Sequence, residues 1–317
     1  MATARGRSVD GNHARWRRSA RFHLALGALA AGLLGLPPAH ADPPATTNDL
    51  KEIDRELENP ISKTWSLKLQ SKTYLLDIAS LNEHRVEEVV EFQPLIPIPL
   101  TDRLRLVSRP TVTLLDDKPY KDDQDEITYI PAFGDIELPL ALVPDAGPWL
   151  LGVGPTFVLP TAGSKQTGKG KWQAGPAGVL GWRSSDWQAA VFAQQWWSFA
   201  GSDSRPSVSE LKAQYFLTRF LADGWSIGMS PTIAVDWKEE SSKNRLTFPV
   251  GLGVGKTVEL PGEHAVALAL QVQYMPIHPD EFGQELNVQL SVTPRIAPLI
   301  EEPLFRVLSA SVEQTRP

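Results

Sequence analysis

Two glycine-rich segments of this chain come close to the spelling of a phosphate-binding loop. Gly163-Ser-Lys-Gln-Thr-Gly168-Lys169-Gly170 has the glycines and the lysine, and Gly251-Leu-Gly-Val-Gly-Lys-Thr257 adds a hydroxyl after the lysine. That chemistry needs backbone N–H groups at a turn that opens a helix, with a Ser/Thr hydroxyl on magnesium. The first segment lacks the hydroxyl and runs into an alternating stretch. The second lies inside one, with its glycines on a single face. Neither predicts nucleotide binding. The acidic run Asp116, Asp117, Asp122, Asp123, Asp125, Glu126 could supply oxygen ligands to calcium, but it lacks the spaced carboxylates and turn glycine of a defined loop. It reads as a solvated loop, with loose divalent bridging to lipopolysaccharide phosphates as the alternative. Nucleophilic catalysis needs a base hydrogen-bonded to a nucleophile. After residue 41 only His84, His264 and His278 remain; all fall in predicted connections, and His278 with Asp280 and Glu281 reads as loop surface. The sequence therefore predicts no catalytic residue, no metal site and no cofactor.

The elements carrying these segments are set by tryptophan. Trp172 and Trp182 are ten residues apart, Trp187 and Trp197 ten, Trp225 and Trp237 twelve. Even spacings in an extended strand put both rings on one face, and ten to twelve residues span roughly 33–40 Å of strand. Tilted by about 40°, such strands cover the apolar band of an outer-membrane barrel, roughly 25–30 Å tall. Amphipathic Trp rings favour the membrane boundary. Trp149, Trp182, Trp187 and Trp225 are expected in a periplasmic girdle, with Trp172, Trp197 and Trp237 in the outer one. The alternative is core Trp in a soluble β-sandwich.

Period-two alternation supports the barrel. Leu286, Val288, Leu290 and Val292 alternate with Asn287, Gln289, Ser291 and Thr293. Twelve such stretches are predicted near 65–78, 86–98, 104–115, 133–143, 149–160, 172–182, 187–199, 210–221, 225–237, 246–259, 266–275 and 286–296. Short connections (99–103, 144–148, 183–186, 222–224, 260–265) alternate with mostly longer polar ones (79–85, 116–132, 161–171, 200–209, 238–245, 276–285). This is the pattern of an all-β, up-and-down antiparallel transmembrane barrel of about twelve strands. Ahead of it, Asn48 to Glu58 reads as a short periplasmic helix with Leu50, Ile53 and Leu57 on one face and Pro60 ending it.

The expected organisation is a signal peptide over 1–41, a periplasmic lead-in with the helix over 42–63, the barrel over 64–297 and a C-terminal tail over 298–317. Six arginines precede Phe22, an apolar stretch runs from Leu24 to Leu36, and Ala39-His40-Ala41 places cleavage before Asp42. Arg17-Arg18 hints at a twin-arginine signal, but a barrel must cross the inner membrane unfolded, which favours general secretion. Six of the 31 basic residues and one of the 37 acidic ones lie in that segment, leaving 25 against 36. An exported chain this acidic is not expected to bind nucleic acid, which needs a basic footprint. Cysteine is absent, so disulfides and thiolate metal sites are excluded.

By parity, the lumen is expected to be lined by Arg103, Arg105, Arg109, Asp135, Glu137, Lys212, Gln214, Asp236, Lys256, Gln271, Gln273, Asn287, Gln289 and Arg295. Interior charges either pair and fill a small barrel or form a narrow selective pathway. The inward glycines Gly152, Gly154, Gly175, Gly251 and Gly253 are expected to leave room along one wall. Two features strain the pattern. Pro94, Pro97, Pro110, Pro139, Pro155, Pro176, Pro231 and Pro249 interrupt strands, and bulges or strand ends are expected to absorb them. In 187–199, outward Trp187 and Trp197 carry Gln195 outward and turn Trp196 in, which a bulge near Gln194 would repair.

Several blocks resemble a Gram-negative outer-membrane transporter family that carries the label neuromedin U-like, related to the outer-membrane proteins of phenol meta-cleavage pathways. They are Phe92-Gln-Pro-Leu-Ile-Pro-Ile-Pro-Leu-Thr-Asp, Phe133-Gly-Asp-Ile, the run from Gly147 to Ala162, Gly170-Lys-Trp-Gln-Ala-Gly-Pro-Ala, Gln194-Gln-Trp-Trp-Ser-Phe-Ala-Gly and Glu56-Leu-Glu-Asn-Pro-Ile. The likeness covers about residues 50–296. It implies a barrel, a passive transport role and tolerance of in-strand prolines, and it supplies no catalytic residues. Such chains usually stop at an aromatic residue closing the last strand; here the sequence runs on through Phe305 to Pro317.

The expected function is a passive outer-membrane channel for small solutes, aromatic or hydrophobic compounds among them. Its expected partners are outer-membrane lipids and lipopolysaccharide, the outer-membrane assembly machinery and the solute. The rivals are a structural or surface-interaction barrel with a filled lumen and, more remotely, an outer-membrane lipid hydrolase.

Overall fold

The computed structural model describes residues 47–260 and 264–305. The expected signal segment, and the tail beyond Phe305, lie outside the described residues. Helix α1 (Thr47–Leu57) precedes fifteen strands: β1 (Ser66–Ile78), β2 (Glu83–Thr101), β3 (Leu104–Ser108), β4 (Thr111–Lys121), β5 (Ile127–Ala132), β6 (Ile136–Pro144), β7 (Trp149–Leu159), β8 (Lys171–Arg183), β9 (Trp187–Gly201), β10 (Ser209–Phe220), β11 (Trp225–Met229), β12 (Thr232–Asp236), β13 (Leu246–Leu260), β14 (His264–Ile277) and β15 (Glu281–Pro294). Three spans are broken in two, β3/β4, β5/β6 and β11/β12, so the fifteen strands make twelve spans. All pairings are antiparallel, and β1 pairs with both β2 and β15, closing the barrel. Among the described residues no helix is long and apolar enough to cross a membrane.

Alternation decides what faces where. Val153, Leu180, Leu252 and Phe199 stand about two-thirds exposed on the outside, joined by Val191, Ile227, Leu270 and Val272. Residues of the alternate parity, Gln173, Thr257, Gln271 and Asn287 among them, are buried. Apolar outside and polar inside is the inverse of a soluble sheet, as a lipid-facing band requires. The seven tryptophans expected at the membrane boundary, Trp149, Trp172, Trp182, Trp187, Trp197, Trp225 and Trp237, all point outward and are 41–55% exposed. Trp149 sits directly opposite Trp182 at the short-turn end. One of those short turns carries Asp223 and Gly224 at φ 55° and 71°, the paired left-handed backbone that joins twisted strands tightly.

Three expectations need correction. Pro110 and Pro231 fall in breaks between strands and Pro249 in a bulge between Phe248 and Val250, but Pro94, Pro97, Pro139, Pro155 and Pro176 lie within paired strands. Pro155 faces Pro176, so two missing donors coincide at one rung. No bulge occurs at Gln194: β8 and β9 run in one register from Ala174–Trp197 to Ala177–Gln194, and the slip comes between Trp172 and Gln173. The expected loops 116–132 and 276–285 are mostly strand, and 79–85 becomes strand from Glu83, because pairing continues from Asp116–Ala132 to Lys121–Ile127, from Ile78–Glu281 to Leu75–Leu286 and from Ile78–Glu83 to Leu76–Arg85.

The lumen is not polar throughout. Leu95, Val107, Ala141, Val143, Leu150, Ala177, Val179, Ala190, Phe192 and Phe216 form one buried apolar cluster, and Ile61 of the segment after α1 is part of it. The chain leading into β1 thus enters the barrel and completes a core inside it. The described part of the tail turns back, with Leu304 and Phe305 N–H donating to the Pro99 and Leu100 carbonyls.

Placing a charge at the middle of the outer band tests which side faces lipid. Leu252→Arg is expected to lower stability by about 2–4 kcal/mol in bilayers, read by urea titration of the heat-modifiable gel shift.

Candidate functional site

A cavity of about 720 Å³ runs from the loops at the long-loop end into the lumen. Of the fourteen residues expected to line the lumen, Arg109, Glu137, Lys212, Gln214, Asp236, Gln273, Asn287 and Gln289 line this cavity. Gln271 is buried in the wall beside them. Arg105 pairs with core residue Val143 at the short-turn end, away from the cavity. The other four are corrections. Arg103 lies in the exposed two-residue turn between β2 and β3. Lys256 has the opposite parity to buried Thr257, so it points outward, its ammonium 5.0 Å from the Trp225 ring. Arg295 is exposed past the end of β15. Asp135 sits in the β5–β6 break, where its carboxylate accepts from the Ala162 N–H (3.1 Å) and the Lys169 N–H (2.8 Å). The second of these N–H groups belongs to the glycine-rich segment 163–170, and the Asp135 carboxylate already takes it.

The floor of the cavity is a circuit of side-chain hydrogen bonds. Asn287 donates to Gln273 (3.4 Å), Gln273 to Gln271 (3.4 Å), and Gln271 to the Ser230 hydroxyl (3.0 Å). The Ser230 carbonyl accepts from Gln214 (3.0 Å), whose own carbonyl oxygen accepts from Arg109 (3.3 Å). The second arm of Arg109 donates to Gln93 (3.0 Å), and Gln93 to the Glu91 carboxylate (3.1 Å). Gln70 donates to the same carboxylate (2.6 Å) and accepts from Gln289 (3.2 Å). The circuit starts on β15 and returns to it, passing through β14, β10, β2 and β1. Arg109 is its clasp, because only a long two-armed donor reaches from the β3–β4 break to both β2 and β10. Gly251 and Gly253 do not leave free space: a Cβ on either would collide with Gln273 or Gln271, so they make room for the amides.

Two ion pairs stiffen the layer above. Lys72 bonds Glu91 at 2.8 Å, and Lys212 on β10 reaches Glu137 on β6. Trp196, 1% exposed, fills the wall beneath Lys212; its indole N–H donates to Thr156 (3.1 Å), which donates to Gln194 (2.8 Å). On the outer face Gln195 accepts from the Trp237 indole (2.9 Å). The straight register that seemed to need a bulge is used on both faces. Gln70, Lys72, Glu91 and Gln93, absent from the expected lumen set, also line the cavity, and period-two parity on β1 and β2 is the signal that marks them.

Below the floor, α1 corks the short-turn end, and it turns a polar face inward. Asp54, 1% exposed, accepts from the Thr257 hydroxyl (2.6 Å). Glu56 accepts from Arg183 (2.6 Å) and Ser62 (2.5 Å), Gln188 donates to the Glu58 carbonyl (3.0 Å), and Lys51 pairs with Asp186. Burial, with Glu58 close by, pushes the Asp54 carboxyl up to about 7. Burial acts the same way on Glu56, but the bonds from Ser62 and Arg183 outweigh it and hold that carboxyl below its ordinary range.

No protein-family model matches the chain, and no curated protein matches it. Among solved structures it is similar to the COG4313 outer membrane channel from Pseudomonas putida F1, with a TM-score of 0.57 and 13% identity over 75% of this chain and 98% of that one. Looser overlaps are with the beta domain of the Bordetella autotransporter Brka (TM-score 0.40, 13% identity, 74% of this chain and 99% of that one) and a Pseudomonas aeruginosa FadL homologue (TM-score 0.35, 10% identity, 79% and 92%). The first of these establishes the fold class, an outer-membrane-type β-barrel, which agrees with the outward apolar band and its tryptophans.

Asp54 makes the cork pH-dependent. Its pKa is higher docked than free, so docking takes up a proton: its contribution is full below 3.8 and is lost as pH rises through about 7. Hydrogen-exchange protection factors for residues 50–61 are expected to fall between pH 5 and pH 8, and Asp54→Asn to remove most of that fall.

Proposed function

We propose that the chain is a passive channel for small solutes in the outer membrane of a Gram-negative bacterium, reached through a cleaved signal peptide. One observation carries this reading. Gln93 and Arg109 line the large cavity and also a small pocket of about 20 Å³ on the other side of the floor, bounded by Leu57, Glu58, Pro60 and Phe216. Two spaces separated by a single side-chain layer, above a cork held by polar contacts, fit a narrow pathway constricted at that layer and at the cork. The resemblance to the neuromedin U-like transporters supports the same role and adds aromatic or hydrophobic compounds as candidate solutes. Outer-membrane lipids and lipopolysaccharide against the apolar band, and the barrel-assembly machinery, are the partners such a protein needs.

The apolar cluster around Ile61 favours a second reading, a structural barrel whose lumen is permanently filled. Single-channel recording of the purified, refolded full chain separates the two. A channel is expected to show discrete steps, and Arg109→Ala to enlarge them several-fold by removing the clasp. Absence of steps in both proteins across a range of salts and voltages supports the filled barrel.

A further inference from the structure

The lumen does not treat its cations alike. Lys72, Lys212 and Lys169 each have a carboxylate partner, in Glu91, Glu137 and Glu210. Arg109 does not: its two arms end on the neutral amides Gln93 and Gln214, and the Phe216 ring lies 5.9 Å from its guanidinium carbon. Lys68 stands opposite Gln93 in the β1–β2 register and lines the same lower pocket as Arg109. It makes no side-chain hydrogen bond or ion pair with any described residue. Glu58 is the one carboxylate lining that pocket, and Glu91 above is spent on Lys72, Gln70 and Gln93. Around the small pocket below the floor, two cations therefore face one acid. The wide cavity has the opposite balance, with eight carboxylates and six cations along its wall.

We propose that Arg109 and Lys68 form an anion-binding neck that takes small carboxylates and sets the selectivity of the pathway. This rests on the channel reading for transport, though not for binding. The charges of a wide acidic vestibule act weakly because water and counter-ions screen them, whereas a charge in a narrow neck surrounded by protein acts on a permeating ion at close range. A guanidinium whose hydrogen bonds go only to neutral amides, beside an ammonium in no ion pair, can exchange those amides for an entering carboxylate with no salt bridge to break. An entering cation meets like charge there.

The test uses the full chain refolded in planar bilayers under a tenfold potassium chloride gradient. The wild type is expected to prefer chloride over potassium by more than about threefold, with acetate permeant. Arg109→Gln combined with Lys68→Met is expected to swing the reversal potential to the potassium side, because the vestibule acids then dominate. A wild type that prefers potassium, or a double variant with unchanged selectivity, overturns the proposal. A second measurement is independent of conduction. Sodium acetate, against glycerol and sodium chloride controls, is expected to raise the temperature of heat-modifiable unfolding in the wild type only. Acetate stabilisation without conductance leaves the neck site standing and removes the channel; conductance without anion preference does the reverse. Failure of both measurements overturns both.

Discussion

Closure of the sheet between β1 and β15 is the constraint from which the remaining features follow. From Leu69–Val292 onward the first and last strands pair like any other neighbours, so the sheet has no free edge. A strand with two partners has one face outside and one inside, with no third surface on which to place a side chain. Apolar residues such as Val153 and Leu252 then occupy the outside, and amides and charges are forced into the lumen. Polar groups enclosed in that way must satisfy one another. The circuit through Asn287, Gln271, Gln214, Arg109 and Gln70 is the solution this sequence uses, and the glycines of β13 are what it requires of the neighbouring strand.

Chemistry inside the barrel is divided by height. The short-turn half holds the apolar cluster around Ile61, the middle holds the amide circuit and its clasp, and the long-loop half holds the mixed charges of the vestibule. The layers share strands. Phe192 and Phe216 supply the apolar layer, Gln214 of the same β10 supplies the middle one, and Lys212 the layer above, so steps of two residues along one strand cross all three. A single-residue slip in β10 would send every one of these groups into the outer band, which is why register is held so strictly there.

The barrel was legible in the sequence because period two and turn spacing are local properties. All twelve expected stretches correspond to spans, and even the spacing of Trp172 and Trp182 carries their common outward face. What the sequence did not show was depth and direction at strand ends. Arg103 and Arg295 have lumen parity but lie past the last rung, and Asp135 was assigned to a strand that breaks at that position to bind a loop. Lys256 has the opposite parity to Gly253 and Gly255, so the same alternation that turns those glycines inward turns it outward. The corking of the lumen was hidden for a different reason: α1 has an apolar stripe in Leu50, Ile53 and Leu57, yet buries Asp54 and Glu56, and those partners are 127 to 203 residues away along the chain. No local pattern reports a contact of that span.

Those separations also bear on the order of assembly. The segment that corks the barrel is made before any strand, but its anchors belong to β8, β9 and β13, and Trp65 meets Ile296 only beside the closing seam. Long-range contacts of this kind form after the loops they close are ordered. The barrel must therefore be built as a hollow cylinder and stoppered last, so a segment synthesised ahead of every strand finds its place after them.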